Sequence, residues 1–450
     1  MARGKKAGKE LTPEERLEQA LVPGEEQPYP VPENWCWVRL GNLCTDIQYG
    51  YTAKAIFDNN YPKMLRITDI QDGEVDWDNV PNCDITENDF RKYELVSHDI
   101  VFARTGATTG KSYLVLEPPK SVYASYLIRI RLNSFFNRKY VYYMLQSEVY
   151  WKQIMELSSG IAQPGVNAAK LQSLLFPLSP LSEQQRIVNR IESLFAKLDE
   201  AKEKAQAVVD GFELRKSAIL HKAFMGELAR ISAGRTIPLE AIVKTIRIGP
   251  FGSALHKEDY IIGGIPVINP KHIIHQQIVP DEKVTITEGK ASELMPYRLR
   301  AGDIVVGRRG EMGRSAPVTK KEDGWLCGTG SLIIRLQEGY SGAFYSQIIA
   351  SHSSVQYLEE NCVGSTMKNL NEKIIKSLPV PNYTMEQQKT IVDILNHLLE
   401  KEQRAKEAAE AVLSQIDTMK KAILARAFRG ALGTNDPAEE WAGELVKKMI

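Results

Sequence analysis

The segment with the most chemical promise is Gly106-Ala-Thr-Thr-Gly-Lys-Ser112, which has the composition of a phosphate-binding loop. A nucleotide P-loop needs four residues between its glycines and a helix directly after them, because the backbone N–H groups of that turn cradle the phosphates. Here three residues separate the glycines, and Tyr113-Leu-Val-Leu-Glu117 reads as a strand. The segment Gly310-Glu-Met-Gly-Arg-Ser315 repeats the pattern one residue shorter, with Arg in place of Lys. Spacing therefore argues against nucleotide hydrolysis. Pro280-Asp281 and Glu288-Gly-Lys290 stand too close together for a metal-dependent nuclease motif, and His272 and His275 have no further ligands nearby. The five cysteines contain no Cys-x-x-Cys pair, which argues against a zinc site and against a disulfide framework. Neither an Asn/Asp-Pro-Pro-aromatic motif of amino-methyltransferases nor a glycine-rich cofactor loop occurs. The chain is expected to hold no metal, bind no cofactor directly and carry no catalytic residue.

What remains is the chemistry of holding a polyanion. Arg298, Arg300, Arg308, Arg309 and Arg314 crowd around the block Asp303–Gly313, and Arg104, Thr105, Thr108 and Lys111 occupy the matching region of an earlier block. The Gly, Thr and Ser between them permit close backbone approach and donation to phosphates, and arginine can read guanine edges with two hydrogen bonds. Tyr49, Tyr51 and Lys54 form a second candidate loop, with Ser253, Lys257 and Lys271 as candidates in the later half. Lys368 and Asn369, in Gly364-Ser-Thr-Met-Lys-Asn369 ahead of a short helix, offer donors and a helix N-terminus. Net charge is only +1, so a DNA binder of this composition must concentrate its basic residues locally.

These candidates sit in a chain that repeats itself. Asp99-Ile-Val-Phe-Ala-Arg-Thr-Gly106 returns as Asp303-Ile-Val-Val-Gly-Arg-Arg-Gly310, and Lys216–Gly226 returns as Lys420–Gly430. Leu181–Val188 returns as Met385–Val392, aligned with one residue dropped. The offset stays near 204 residues, which marks a tandem duplication. Between the matching blocks the copies differ; Tyr49–Ala55 has only Gly252 as an echo. Each copy reads as α+β. In the first, β-branched runs at Met64–Ile70, Asp99–Arg104 and Tyr126–Leu132 precede a helical pattern over Arg138–Leu157.

After each globular part comes a helix of about 45 residues, long enough to need a partner. Ser182 with Gln185, and Thr384 with Gln387, have capping-box spacing. Ile187, Ile191, Leu194, Leu198, Val208, Phe212 and Ile219 form a heptad seam, matched by Ile391, Leu395, Leu398, Val412, Ile416, Met419 and Ile423. Ala205 and Ala409 lie mid-helix, where a small residue lets backbones approach. The first helix runs from the first domain to the second and the other leaves the second, so a pair must be antiparallel. At about 1.5 Å per residue it could reach roughly 60 Å, more than one DNA turn of about 34–36 Å.

The expected organisation is an N-terminal flexible arm (1–30), a globular domain (31–180), a long helix (181–230), a second domain (231–382), a second helix (383–432) and a tail (433–450). The fold class is α+β: two domains separated by an antiparallel pair of coiled-coil helices, a pseudo-two-fold internal repeat. The 450 residues leave room for this. Residues 1–9 have no apolar core of a signal peptide, and no stretch approaches a membrane span. The cytoplasm is the expected compartment.

On the blocks Asp99–Lys111, Phe176–Gln185, Lys216–Gly226 and Lys420–Gly430, the chain from about Pro32 to Gly433 resembles the specificity subunit of type I restriction–modification systems. The resemblance implies two target-recognition domains, each reading half of a split, asymmetric double-stranded DNA site. It also implies a helical spacer on which two methyltransferase subunits dock, and a separate motor–nuclease (restriction) subunit. S-adenosylmethionine, ATP and Mg would then belong to those partners. The second copy departs from the family pattern at Arg309 and Glu311–Arg314. Two other readings remain open at this point. An orphan sequence-specific DNA binder would shift DNA without a methyltransferase, and a coiled-coil protein scaffold would not bind DNA at all.

Overall fold

A computed structural model describes residues 12–71, 73–158, 165–250, 254–362 and 369–449. Contacts divide the chain into two units, residues 1–204 with 412–450, and residues 205–411. Each unit thus holds one globular domain together with part of each long helix.

In the first unit, four strands form an antiparallel sheet in the order β2-β5-β3-β4: β2 (Cys44–Tyr49), β3 (Ile100–Ala103), β4 (Ser112–Leu114) and β5 (Leu127–Leu132). Helices α1 (Arg138–Met144) and α2 (Glu148–Ser158) cover one face, where Phe102, Ile128, Ile130, Tyr140 and Tyr150 are buried. Strand β1 (Cys36–Arg39) pairs with β6 (Leu175–Leu178) where the chain enters and leaves the domain. A smaller cluster on Leu65, Val101, Tyr113 and Tyr123 packs the other face.

The second unit repeats this plan. Its sheet has the order β8-β11-β9-β10: β8 (Val243–Ile248), β9 (Ile304–Gly307), β10 (Ser315–Pro317) and β11 (Ser331–Leu336). Helices α5 (Gly342–Ile349) and α6 (His352–Asn361) cover it, and β7 (Arg235–Pro238) pairs with β12 (Pro379–Asn382). Register coincides to the residue: Ile100 lies opposite Ile130, and Ile304 opposite Ile334.

The first long helix is not continuous. It runs as α3 (Leu181–Asp210) and α4 (Phe212–Phe224), parted at Gly211, whereas α7 (Met385–Ala427) is unbroken over 43 residues. Within each unit the helical segments pair antiparallel. In the first, Lys420 meets Asp199 at 2.6 Å and Leu424 packs with Ile191. In the second, Arg215 meets Glu402 at 2.7 Å, Lys406 lies 4.7 Å from the Phe212 ring, and Leu220 packs with Leu395. Ala205 and Ala409 are both buried, as close backbone approach requires. Ile187, Ile191, Phe212, Ile391, Leu395 and Ile416 are buried, and Leu194, Leu198, Val208, Ile219, Leu398 and Ile423 half-buried. Val412 and Met419 correct the expected seam: both are exposed, at 43% and 48%. Their places on the heptad drift outward because a straight helix turns about 20° per heptad against a strict repeat, and Leu424 lies inside instead.

Three other expectations change. Leu181–Val188 and Met385–Val392 align without a gap, since Gln184 and Gln388 make the same bonds, to Ser179 O at 2.8 Å and Tyr383 O at 2.7 Å. The capping box is real at Thr384, with bonds to Gln387 of 3.0 and 3.3 Å. Ser182 is not a cap, because α3 begins at Leu181 and the Ser182 hydroxyl goes to Glu439. Nor is the described part of the N-terminal arm loose, and the tail is anchored too. Residues 13–20 form a helix with a complete capping box at Thr12 and Glu15, Ala442 and Val446 are fully buried, and Arg186 binds both Glu183 and Glu439. Among the described residues, no helix is long and apolar enough to cross a membrane.

Candidate nucleic-acid interface

Both duplicated blocks are strands that end on a loop. The Asp that opens each block is structural. Asp99 and Asp303, each 2% exposed, accept the guanidinium of Arg131 at 2.9 Å and of Arg335 at 2.7 Å, and also a backbone N–H from Val96 or Arg300. The second glycine is structural too. Gly110 and Gly313 have φ of +88° and +77°, and a Cβ there would strike Ile154 or Val355 on the covering helix. The first glycine, Gly106 or Gly310, combines positive φ with open space. The residues between the two glycines are therefore held at both ends, with room above them.

In the first domain the loop is organised around Arg104. Its carbonyl accepts from Val166 N at 2.8 Å and its amide donates to Tyr126 O at 3.1 Å. Its guanidinium lies 4.9 Å from the Tyr49 ring centroid and donates to Ser125 O at 3.4 Å. Tyr49 is itself held, its hydroxyl accepting from Ala168 N at 3.0 Å. An exposed cation–π contact contributes about 0.5–1 kcal/mol, enough to bias the rotamer of an arginine that would otherwise wander. Thr105 bridges to Gly165. Thr108 is exposed, and Lys111 reaches Ile70 O at 3.4 Å. Lys54 is exposed on the neighbouring loop, whereas Tyr51 packs on Tyr93 at 5.3 Å and bridges to Ala124. The structure thus brings Tyr49, Arg104 and Thr105 together and gives Tyr51 a packing role.

The second domain builds the same loop differently. Arg308 stands where Arg104 does but is only 8% exposed, and its Nε donates to Leu370 O at 3.1 Å. Burial, with the charge of Arg309 beside it, lowers its pKa from the usual arginine range. Register explains the change: Tyr49 pairs with Ile128, and the matching pair is Ile248 with Leu332, so no ring is offered for Arg308 to stack on. Arg309, in the place of Thr105, is exposed and bridges to Asn369. Arg314 is tied to Glu311 at 2.6 Å and to Pro270 O at 3.1 Å. Lys271 meets Asp281 at 3.4 Å, and Lys257 is exposed. Ser253 and Lys368 lie outside the described residues, as does Gly252. The structural echo of Gly50 is Gly249, each glycine pressed against a backbone carbonyl, of Ala124 and of Gly328.

Two exposed aromatics escaped the sequence reading. Tyr126 is 65% exposed beside the Arg104 amide, and Phe57 is 85% exposed just beyond Lys54. The available signal was position. Tyr126 reads as the first residue of a strand that in fact begins at Leu127, and a lone aromatic in a polar loop has no core to enter. His272, considered as a ligand, is buried with Nδ1 at 3.0 Å from Val267 O. No group of His, Cys, Asp and Glu suited to a metal exists among the described residues.

Comparison with known proteins bears on this geometry. The family model for the type I restriction modification DNA specificity domain matches residues 32–209 and 248–411. The chain belongs to this family. The match falls twice, once on each repeat, and each match runs from the globular domain into its long helix. Among relatives of the family, the EcoKI specificity subunit of Escherichia coli K12 is 24% identical over 432 residues, covering 91% of both chains. The StySPI specificity subunit of Salmonella potsdam is 23% identical over 430 residues, again covering 91% of each. The solved HsdS subunit of Thermoanaerobacter tengcongensis covers 90% of this chain and 100% of its own, at 20% identity and a TM-score of 0.67. That likeness extends the family's fold over both domains.

Proposed function

We propose that the chain is the non-catalytic specificity subunit of a type I restriction–modification complex, reading a bipartite, asymmetric site on double-stranded DNA. Each globular domain presents a glycine-hinged loop to one half-site. In the first, a stacked Arg104 with Thr105 and Lys111 faces the DNA; in the second, Arg309 does. The antiparallel helices carry methyltransferase subunits, two per chain, which supply S-adenosylmethionine and the base chemistry. Restriction subunits supply ATP- and Mg-dependent motor and nuclease functions. The complex works in the cytoplasm.

The observation that carries this reading is a frame repeated to the residue, Asp99–Arg131 and Asp303–Arg335, beneath loops that present different cations, Arg104 stacked on Tyr49 in one and an exposed Arg309 in the other. A shared frame with different heads suits two readers of different sequences. Phosphate contacts position a protein on DNA, while base-edge contacts from such heads specify the sequence. The test is methylome sequencing of cells with and without this chain, paired with co-purification of a methyltransferase subunit. A split motif should lose its methylation when the chain is deleted. Robust methyl transfer from labelled S-adenosylmethionine by the purified chain alone would overturn the assignment.

A further inference from the structure

The two units also differ away from the proposed DNA loops. In the first unit, the groove between the end of α7 and the start of α2 is filled by the chain's own Pro28-Tyr29. The Tyr29 ring packs edge-on against Trp37 at 4.9 Å, its hydroxyl donates to Phe428 O at 3.0 Å, and the Trp37 indole donates to Tyr29 O at 3.1 Å. Arg429 lies over the outer face of the ring, 5.0 Å from its centroid. Only a small recess remains, bounded by Ser147, Glu148 and Phe428.

In the second unit the same positions are present and the filling is missing. Ser351, His352 and Phe224 stand for Ser147, Glu148 and Phe428, and strand register puts Thr236 where the first unit has Trp37. The segment leading into β7 turns tightly at Gly226, whose φ is +78°, and supplies nothing equivalent to Pro28-Tyr29. An open, largely apolar groove of about 600 Å³ results, floored by Phe224 and Pro381. At its edge Leu214 and Met225 are 77% and 43% exposed.

We propose that this groove receives an extended segment of the methyltransferase subunit bearing an aromatic residue flanked by proline. The first unit shows what the groove accepts, because its occupied twin holds such a segment in Gln27-Pro-Tyr-Pro30. A second copy of this chain is a poor donor: its own Pro28-Tyr29 is already tied down by the bonds to Phe428 and Trp37. The Phe224 carbonyl that would mirror Phe428 already accepts from the Tyr383 hydroxyl at 2.9 Å, so the incoming ring needs no hydroxyl, and Phe serves as well as Tyr. Proline keeps such a segment extended before it binds and so reduces the ordering cost. The proposal rests on the specificity-subunit reading, since it takes a methyltransferase as the donor.

The test uses the full chain, the methyltransferase subunit that co-purifies with it, and a synthetic peptide of residues 24–32. Thr236→Trp should restore the ring that Tyr29 packs against in the first unit. It should strengthen both peptide and methyltransferase binding by about threefold to tenfold, the usual gain from one added aromatic pair. Leu214→Glu places a charge on an already exposed rim residue and leaves folding alone. It should instead weaken both by a comparable factor, and it decides the matter if Thr236→Trp fails to fold. Methyltransferase affinity within twofold of wild type in the folded variants would overturn the groove while leaving the specificity assignment intact. A wild-type chain that binds no methyltransferase would overturn that assignment instead. Self-association of the wild type that Leu214→Glu abolishes would identify a second copy as the occupant and overturn the proposal.

Discussion

The two glycine-hinged loops, proposed above to face DNA, rest on the same strand frame and put the same residue to opposite uses. Arg104 is a half-exposed cation resting on Tyr49, whereas Arg308, one repeat later, is a buried tie to Leu370 O. The exposed cation has moved one position along, to Arg309. What changed is the neighbour, Tyr49 against Ile248, at one register position on the adjacent strand. A repeated motif therefore guarantees a repeated frame without guaranteeing that the same side chain is presented.

The largest test of this comparison exchanges a whole head. Replacing residues of about 35–175 with the matching domain of a relative should change one half of the methylated motif completely and leave the other half unaltered. Methylome sequencing reads the result. A change in both halves, or in neither, would break the claim that the frames are independent of each other's heads.

The frame itself should behave alike in the two units. Asp99→Asn and Asp303→Asn each put an amide against a guanidinium. Removing one partner of a buried pair costs about 3–5 kcal/mol, and partial exposure of the arginine brings this down toward about 2–3 kcal/mol. Arg335 is less exposed than Arg131, at 26% against 34%, and its bond is shorter. Asp303→Asn should therefore lose more stability. Urea denaturation measures both losses, and the methylated motif should not change in either variant. An altered motif would mean that this aspartate helps to read sequence.

Much of this architecture was legible in the residues. The duplication, the strand after Gly110, the antiparallel helices and the buried alanines followed from spacing and periodicity, which act locally. The Ser182 cap failed because Pro180 already accepts the first helical bond, two residues before a cap at Ser182. The roles of Arg308 and Tyr51 were not legible, because burial is decided by strand partners far away in sequence. Val412 and Met419 were misplaced because a heptad count does not register how a long helix drifts against its partner. The arm looked loose because its anchor, Tyr29 to Phe428, joins residues from opposite ends of the chain.

Arginine substitutions sharpen the comparison at finer scale. Arg309→Glu should weaken DNA association by about tenfold, a loss of about 1.4 kcal/mol, and should flatten the salt dependence by about one counterion, with no loss of stability. Arg308→Ala should instead destabilise the fold by about 1–3 kcal/mol, because the buried carbonyl of Leu370 loses its donor. Paired thermal melts and DNA titrations across a salt series separate the two. Equal effects of both variants on DNA binding, with neither altering stability, would show that Arg308 is a reader after all.

The smallest expected effect lies in the long helices, where the two repeats differ as well. Gly211 parts α3 from α4, while α7 runs without a break. Yet Gly211 has φ −78° and ψ −4°, its amide still donates to Ala207 O at 3.0 Å, and its carbonyl accepts from Arg215 N at 3.0 Å. The backbone is thus close to helical, and nothing in its conformation requires glycine. Alanine there should gain about 1 kcal/mol in helix propensity. Against this, the added Cβ would stand 2.5 Å from an Arg215 guanidinium nitrogen. That side chain would have to move, losing its 2.7 Å bond to Val208 O, an interaction of about 0.5–1 kcal/mol net. Its pairing with Glu402 through Nε should survive, because a long side chain can swing at its tip. The balance favours alanine by about 0.5 kcal/mol at most. Gly211→Ala should therefore leave the melting temperature unchanged or slightly raised, with DNA and methyltransferase binding intact. A clear drop in melting temperature would show that the break is required, and that the two long helices differ in function as well as in sequence.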